Sequence, residues 1–178
     1  MGKNVLKNKD AEILGSETSV IAPLVLEYCS GRGADLGCGP IMKITPNSIG
    51  VDVIDLFDLP GENIGGYDLY AGLSIFEDEE LDYIYASHVL EDFDEPLTRV
   101  SEWVRKIKPG GYLIVVLPHM SVYPLVGTPD ANPSHKRDWD EAALLDVTSN
   151  IKSIKLVDSY THEECLGHSF VSVFQKEK

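Results

Sequence analysis

Basic residues are scarce: 15 Lys and Arg stand against 29 Asp and Glu, a formal net charge of −14 at pH 7. A surface this acidic repels a phosphate backbone, which disfavours nucleic acid as a whole-surface partner. Cysteine is scarce too. Cys29, Cys38 and Cys165 are odd in number and scattered, with no CxxC or HExxH pattern. That spacing offers neither a disulfide framework nor a metal site, and points to reduced thiols in a cytoplasm. No apolar run reaches the ~18 residues of a membrane span. The opening residues, MGKNVLKNKD, lack the apolar centre of a signal peptide. Internal repeats and low-complexity tracts are absent as well.

What is present suits one domain. The chain has 178 residues, 43% of them hydrophobic, enough for a sizeable core. Residues 1–15 show no periodicity and read as an N-terminal arm; residues 16–178 read as the domain. Ser16, Thr18 or Ser19 can cap a first helix whose apolar stripe is Ile21, Leu24, Val25 and Tyr28, with Pro23 acceptable only in its first turn. A short strand follows near Gly33–Leu36, and a second at residues 48–53. Between them Pro40 and Pro46 leave no room for a helix. Residues 54–67 read as loop, with an extended piece near Tyr67–Tyr70. Leu81–Ser87 has the composition of a central parallel strand. Asp94 caps a helix buried through Leu97, Val100, Val104 and Ile107, and Pro109-Gly110-Gly111 stops it. Tyr112–Leu117 is a further strand. Residues 118–138 form a long proline-bearing segment whose Tyr123, Leu125 and Val126 favour an ordered lid or wall. Asp138 or Asp140 starts a helix that buries Ala143, Leu144 and Val147. Residues 151–160 and 168–176 close the chain as an antiparallel pair, with the last strand interior. The fold class is therefore α/β, a mostly parallel sheet with an antiparallel C-terminal strand and reduced helices after strands 1 and 2.

The stretch Gly33-Ala34-Asp35-Leu36-Gly37-Cys38-Gly39-Pro40 runs from a strand into a glycine-rich turn. Ile49-Gly50-Val51-Asp52 is a strand ending in an acid. A turn that lets backbone approach a ligand, with an acid at the next strand's tip, makes a nucleoside site.

Four motifs occur in order: Asp35-Leu36-Gly37-Cys38-Gly39-Pro40, Gly50-Val51-Asp52, Ser87-His88-Val89-Leu90-Glu91-Asp92 and Lys108-Pro109-Gly110-Gly111. Together they resemble a compact branch of the class I S-adenosylmethionine (SAM)-dependent methyltransferases, strongly over residues 33–118. The resemblance implies a Rossmann-like fold, SAM as cofactor, S-adenosyl-L-homocysteine as product, and a small-molecule or glycan-type acceptor methylated on oxygen or nitrogen. It implies that Asp35, Gly37, Cys38 and Gly39 surround the methionine part of SAM, with Cys38 packed and not a nucleophile. Asp52 takes both ribose hydroxyls, Val53 packs beside the adenine, and Asp68 and Leu69 meet the adenine edge. Ser87 and His88 lie beside the methyl group. Two departures stand out. Pro40 replaces the usual third glycine, and Asp92 replaces the second histidine of an HVLEH pattern. A glycine turn also serves NAD proteins, but a full GxGxxG is missing and the later motifs favour SAM.

An oxygen acceptor needs a base, for which His88, His119 and His135 are the candidates. His135-Lys136-Arg137 is locally basic and reads first as a solvated patch flanking a helix cap, and second as a site for an anionic acceptor group. The reduced helices leave apolar sheet that a homodimer would cover. A SAM-binding partner protein without transferase activity, or an NAD-linked oxidoreductase, are the other readings.

Overall fold

The computed structural model describes residues 16–165 and 167–178. The proposed arm, 1–15, lies outside the described residues.

One seven-stranded sheet carries the chain, in the order β3-β2-β1-β4-β5-β7-β6. The strands are β1 (Gly33–Leu36), β2 (Ile49–Val51), β3 (Asn63–Ile64), β4 (Leu81–Ser87), β5 (Ile107–Pro118), β6 (Ile154–Tyr160) and β7 (Ser169–Lys176). Pairings among β1–β5 are parallel, and β7 runs antiparallel between β5 and β6. β7 is apolar on both sides because it is interior, as its sequence indicates.

The alternation of side chains along the strands builds two cores. On one face Leu36, Ile84, Leu113, Val115 and Phe174 pack with Val100, Trp103 and Val104 of α2 (Pro96–Lys106) and Leu144 of α3 (Glu141–Thr148). On the other, Tyr83, Tyr85, Ile114 and Val171 pack with Ile21, Ala22 and Val25 of α1 (Glu17–Val25). Ser16 caps α1 by accepting from the Ser19 N–H at 3.2 Å, and Asp140 caps α3 by accepting from the Ala143 N–H at 2.7 Å.

Several expectations are corrected. Pro23 sits inside α1 and not in its first turn. The burial of Ile21, Ala22 and Val25 outweighs the missing hydrogen bond, and the chain tightens into a 3₁₀ turn at Leu26–Tyr28. The extended piece expected at Tyr67–Tyr70 lies instead at Asn63–Ile64, and Leu69–Ala71 is a 3₁₀ turn capped by the Asp68 side chain. α2 begins after Glu95, not Asp94; Leu97 is exposed, and Trp103 takes the core position. Pro109-Gly110-Gly111 lies within β5, where Gly110 has a positive φ at an irregular part of the strand.

No helix forms between β1 and β2, but the sheet there is not bare. Ile44 enters the α1-side core, and Lys43 donates to the Ser48 and Glu62 carbonyls at 2.6 and 3.1 Å. Asp35 accepts the Ile44 N–H and so pins this loop onto β1. Every residue of β1 and β2 is buried, so the apolar surface expected to call for a second copy is already covered at these strands.

Candidate functional site

In parallel sheets the crevice opens where neighbouring strands depart to opposite sides. Here that point is the end of β1, with β2 on one side and β4 on the other. A cleft of about 280 Å³ lies there, lined by Gly37, Asp52, Val53, Tyr67, Asp68, Leu69, Tyr70, His88, Val89, Asp92 and Phe93.

The turn after β1 has Gly37 at φ +67° and Gly39 at φ +62°, values natural to glycine. A Cβ on Gly37 would meet Val89 Cγ2 at 2.4 Å, so the turn and the β4 turn are in close contact. Asp52 closes the floor. Its Oδ2 accepts from the Gly39 N–H at 2.8 Å and its Oδ1 from the Ile54 N–H at 3.2 Å. Each oxygen keeps a second lone pair for a ligand hydroxyl. The aromatic wall is braced from behind. Tyr67 donates to the Gly72 carbonyl at 2.8 Å, and Tyr70 donates to the Asp92 carbonyl at 2.6 Å. The Tyr70 and Phe93 rings lie 4.7 Å apart, with the Arg99 guanidinium 5.0 Å from the Phe93 centroid.

His88 enters the cleft from the end of β4 with φ +53°, an uncommon conformation for a side-chain-bearing residue. Its Nε2 lies 2.6 Å from Glu17 of α1 and 2.9 Å from Ser169 Oγ, and its Nδ1 lies 3.1 Å from Glu91. Burial works against a charged ring, but Glu17 and Glu91 prevail and hold its pKa up to about 10. The two carboxylates thus favour the protonated ring, which weighs against His88 as the base.

The other two histidines stand apart from the cleft lining. His119 pairs with Glu141 at 3.1 Å and with Ser121 Oγ at 2.7 Å, and its ring stacks on His162. His135 is 8% exposed, stacks on Tyr123, and faces Glu91 at 3.7 Å from behind the β4 turn. His88 and His135 thus meet through Glu91, whereas His119 belongs to a separate group.

Of the residues expected to hold the cofactor, Gly37, Asp52, Val53, Asp68, Leu69 and His88 line the cleft together. Gly39 supports it through Asp52. Asp35, Cys38 and Ser87 do not line it. Asp35 points to the far side of β1, where burial pushes its pKa up to about 7 against the pull of the Ile44 N–H and Lys43. Burial likewise pushes the Cys38 thiol up to about 12, so it stays protonated. Sequence reasoning missed Glu17, Tyr67, Tyr70, Glu91 and Phe93 as site residues. Glu91 and Asp92 stood inside a motif already singled out; Glu17 carried no local signal. Among the described residues no cluster suits a metal ion.

Solved structures share the fold. The family described as Methyltransferase domain matches residues 68–115. A Burkholderia thailandensis 1,6-didemethyltoxoflavin-N1-methyltransferase, solved with 1,6-didemethyltoxoflavin and S-adenosylhomocysteine, superposes with TM-score 0.69 at 13% identity, over 97% of this chain and 83% of that one. This is the class I SAM-dependent methyltransferase fold. A SAM-dependent methyltransferase from Mesorhizobium loti gives TM-score 0.69 at 13% identity, over 91% and 99% of the two chains. The [4+2]-cyclase SpnF gives TM-score 0.62 at 16% identity, over 88% and 80%. The methyltransferase fold therefore also houses a cyclase, and chemistry must be argued from the site. No curated protein matches the chain in sequence.

The residues present fit SAM, the cofactor this fold implies. The positive-φ turn brings backbone to the cleft, a Cβ on Gly39 would meet open space, and the Asp52 carboxylate keeps lone pairs free.

Proposed function

We propose that the chain is a SAM-dependent methyltransferase acting on a small-molecule or glycan-type acceptor at oxygen or nitrogen. The observation that carries this reading is the meeting of Asp52 with the Gly37 turn in one cleft at the sheet's switch point. When bound, SAM supplies an electrophilic sulfonium methyl group. The chain's residues have the remaining tasks. Backbone at Gly37 and Gly39 would approach the amino-acid end, Asp52 would accept from the ribose diol, and Val53, Leu69 and Phe93 would give the adenine an apolar place. The acceptor is held in line and kept dry.

His88 contributes fixed positive charge and not basicity, so the acceptor is nucleophilic without proton transfer to His88. Lys136 and Arg137 lie exposed on the wall formed by residues 118–138, and an anionic acceptor group is the partner they suit. The acidic, cysteine-poor composition fits a cytoplasmic protein, and a homodimer remains part of this reading through the exposed Leu156 and Val157 of β6. Residues 16–178 act as the one domain. A second reading, a SAM-binding partner protein without transfer, is favoured by the pairing of His88, which lines the cleft, with the carboxylates of Glu17 and Glu91.

Calorimetry with SAM and with NAD tests the cofactor: SAM binds and NAD gives no heat. The reverse result makes the chain a different nucleoside protein. Release of labelled S-adenosylhomocysteine with a panel of hydroxylated and amine acceptors tests transfer. Tight SAM binding with no turnover on any acceptor selects the second reading.

A further inference from the structure

A buried carboxylate whose oxygens lack hydrogen-bond partners calls for a reason. Glu91, in the 3₁₀ turn Leu90–Asp92 after β4, is 0% exposed. Neither of its carboxylate oxygens makes a hydrogen bond of good geometry. Two imidazoles from different parts of the chain face it instead: His88 Nδ1 at 3.1 Å, from the cleft side, and His135 Nε2 at 3.7 Å, from the wall. The backbone repeats the link, since the Lys136 N–H donates to the Glu91 carbonyl at 2.8 Å. Glu91 is thus the meeting point of the cleft and the 118–138 wall. Its neighbours in the turn, Val89 and Asp92, line the cleft themselves.

We propose that Glu91 is a positioning residue that joins the wall to the cofactor cleft, fixing His88 on one side and seating His135, and with it residues 118–138, on the other. The role of the cleft rests on the SAM reading above. The chemistry is that of one buried carboxylate oxygen, Glu91 Oε1, faced by a ring nitrogen of each of two imidazoles. On the wall the seat is extended by Tyr123, stacked on His135 at 5.4 Å, and by Arg137, 4.9 Å from the Trp139 ring. On the cleft side the same ring of His88 is shared with Glu17 of α1 and with Ser169 of β7, and His168 acts on Glu17 from the same edge. The wall therefore meets the β4 turn at Glu91, through His135 Nε2 and the Lys136 N–H. Apolar anchoring is weak there, since Met120, Val122, Leu125 and Val126 are all substantially exposed.

Glu91→Gln tests this, because it removes the charge and keeps the shape. Amide exchange in residues 119–138 should accelerate by about tenfold or more, with exchange in β1, β4 and β5 unchanged. The NMR titration midpoint of His88 should fall by about a unit or more, since one of its two carboxylate partners is lost. A folded E91Q protein with wild-type exchange in 119–138 overturns the proposal. So does an unmoved His88 midpoint, because a merely space-filling Glu91 would leave it in place. If E91Q does not fold, His135→Gln replaces it. Faster exchange confined to the wall, with the His88 midpoint unmoved, supports the proposal, and unchanged exchange overturns it. A SAM titration of the wild type separates the two levels. No heat with SAM overturns the cofactor reading; SAM binding together with wild-type wall exchange in the variant overturns the role of Glu91 alone.

Discussion

His88 Nε2 lies 2.6 Å from the Glu17 carboxylate, so the first turn of α1 is tied by charge to the end of β4. The tie has a definite pH dependence. His88 is raised from 6.5 to about 10, so its stabilising contribution is complete below about pH 6.5 and is lost as pH rises toward 10. Glu17 is lowered from 4.5, because His88 and Ser169 outweigh the upward push of burial. Its contribution is present above about pH 4.5 and lost as pH falls through its folded value. The pair therefore stabilises most between those limits. Glu17→Gln should lower the His88 midpoint and shrink the difference in urea midpoint between about pH 6 and pH 9.5. Equal pH profiles for variant and wild type would show that the tie contributes nothing.

Asp35 behaves in the opposite sense. Its pKa rises from 3.8 to about 7, chiefly by burial, so the folded state prefers the neutral acid. Stability falls as pH climbs from about 4 to 7 and then levels off. Asp35→Asn keeps an acceptor for the Ile44 N–H and cannot ionise. The variant should gain on the wild type as pH rises, by a few kcal/mol at most, of order 1.4 kcal/mol per pKa unit. Denaturant midpoints at several pH values read this directly, and a constant gap across the range would refute it.

The sheet was legible because its strands announce themselves. Leu81–Ser87 lies in the structure with the bounds its composition gives, and the two prolines at 40 and 46 correctly deny a helix between β1 and β2. Local pattern failed where tertiary burial decides. Pro23 is carried inside α1 because its neighbours are buried, and Trp103 displaces Leu97 from the core although both fit a helical stripe. The meeting of Gly37 and Asp52 at one cleft was readable because a glycine turn and an acid are local features at the ends of adjacent strands. The charged half of the site was not. Glu17, His88, Glu91 and His135 come together only through the folded chain, and a histidine's protonation depends on which carboxylates the fold sets beside it.

Asp52 holds the turn and, in the proposed function, the ligand. Replacing it with alanine removes the acceptor for the Gly39 and Ile54 N–H groups and, under the proposed function, for the ribose diol. Hydrogen bonds to a charged group are worth about 1.5–3 kcal/mol. Asp52→Ala should therefore raise the SAM dissociation constant by about 10- to 100-fold by calorimetry. Asp52→Asn, which keeps one acceptor oxygen, should fall between. Wild-type affinity in the alanine variant would remove Asp52 from the cofactor site.

Gly37 and Gly39 both have positive φ, yet their surroundings separate them. Alanine at either position costs about 1–2 kcal/mol of backbone strain. Only at Gly37 does the new Cβ collide, meeting Val89 Cγ2 at 2.4 Å, while at Gly39 it enters open space. Gly37→Ala should thus displace the β4 turn that lines the cleft and weaken SAM binding by more than about tenfold, and Gly39→Ala by less. The collision also predicts its own remedy. Val89→Ala in the Gly37→Ala background removes the clashing methyl and should restore part of the affinity, leaving the strain. If the double variant binds SAM no better than Gly37→Ala alone, close contact between the two turns is not what requires a glycine at position 37.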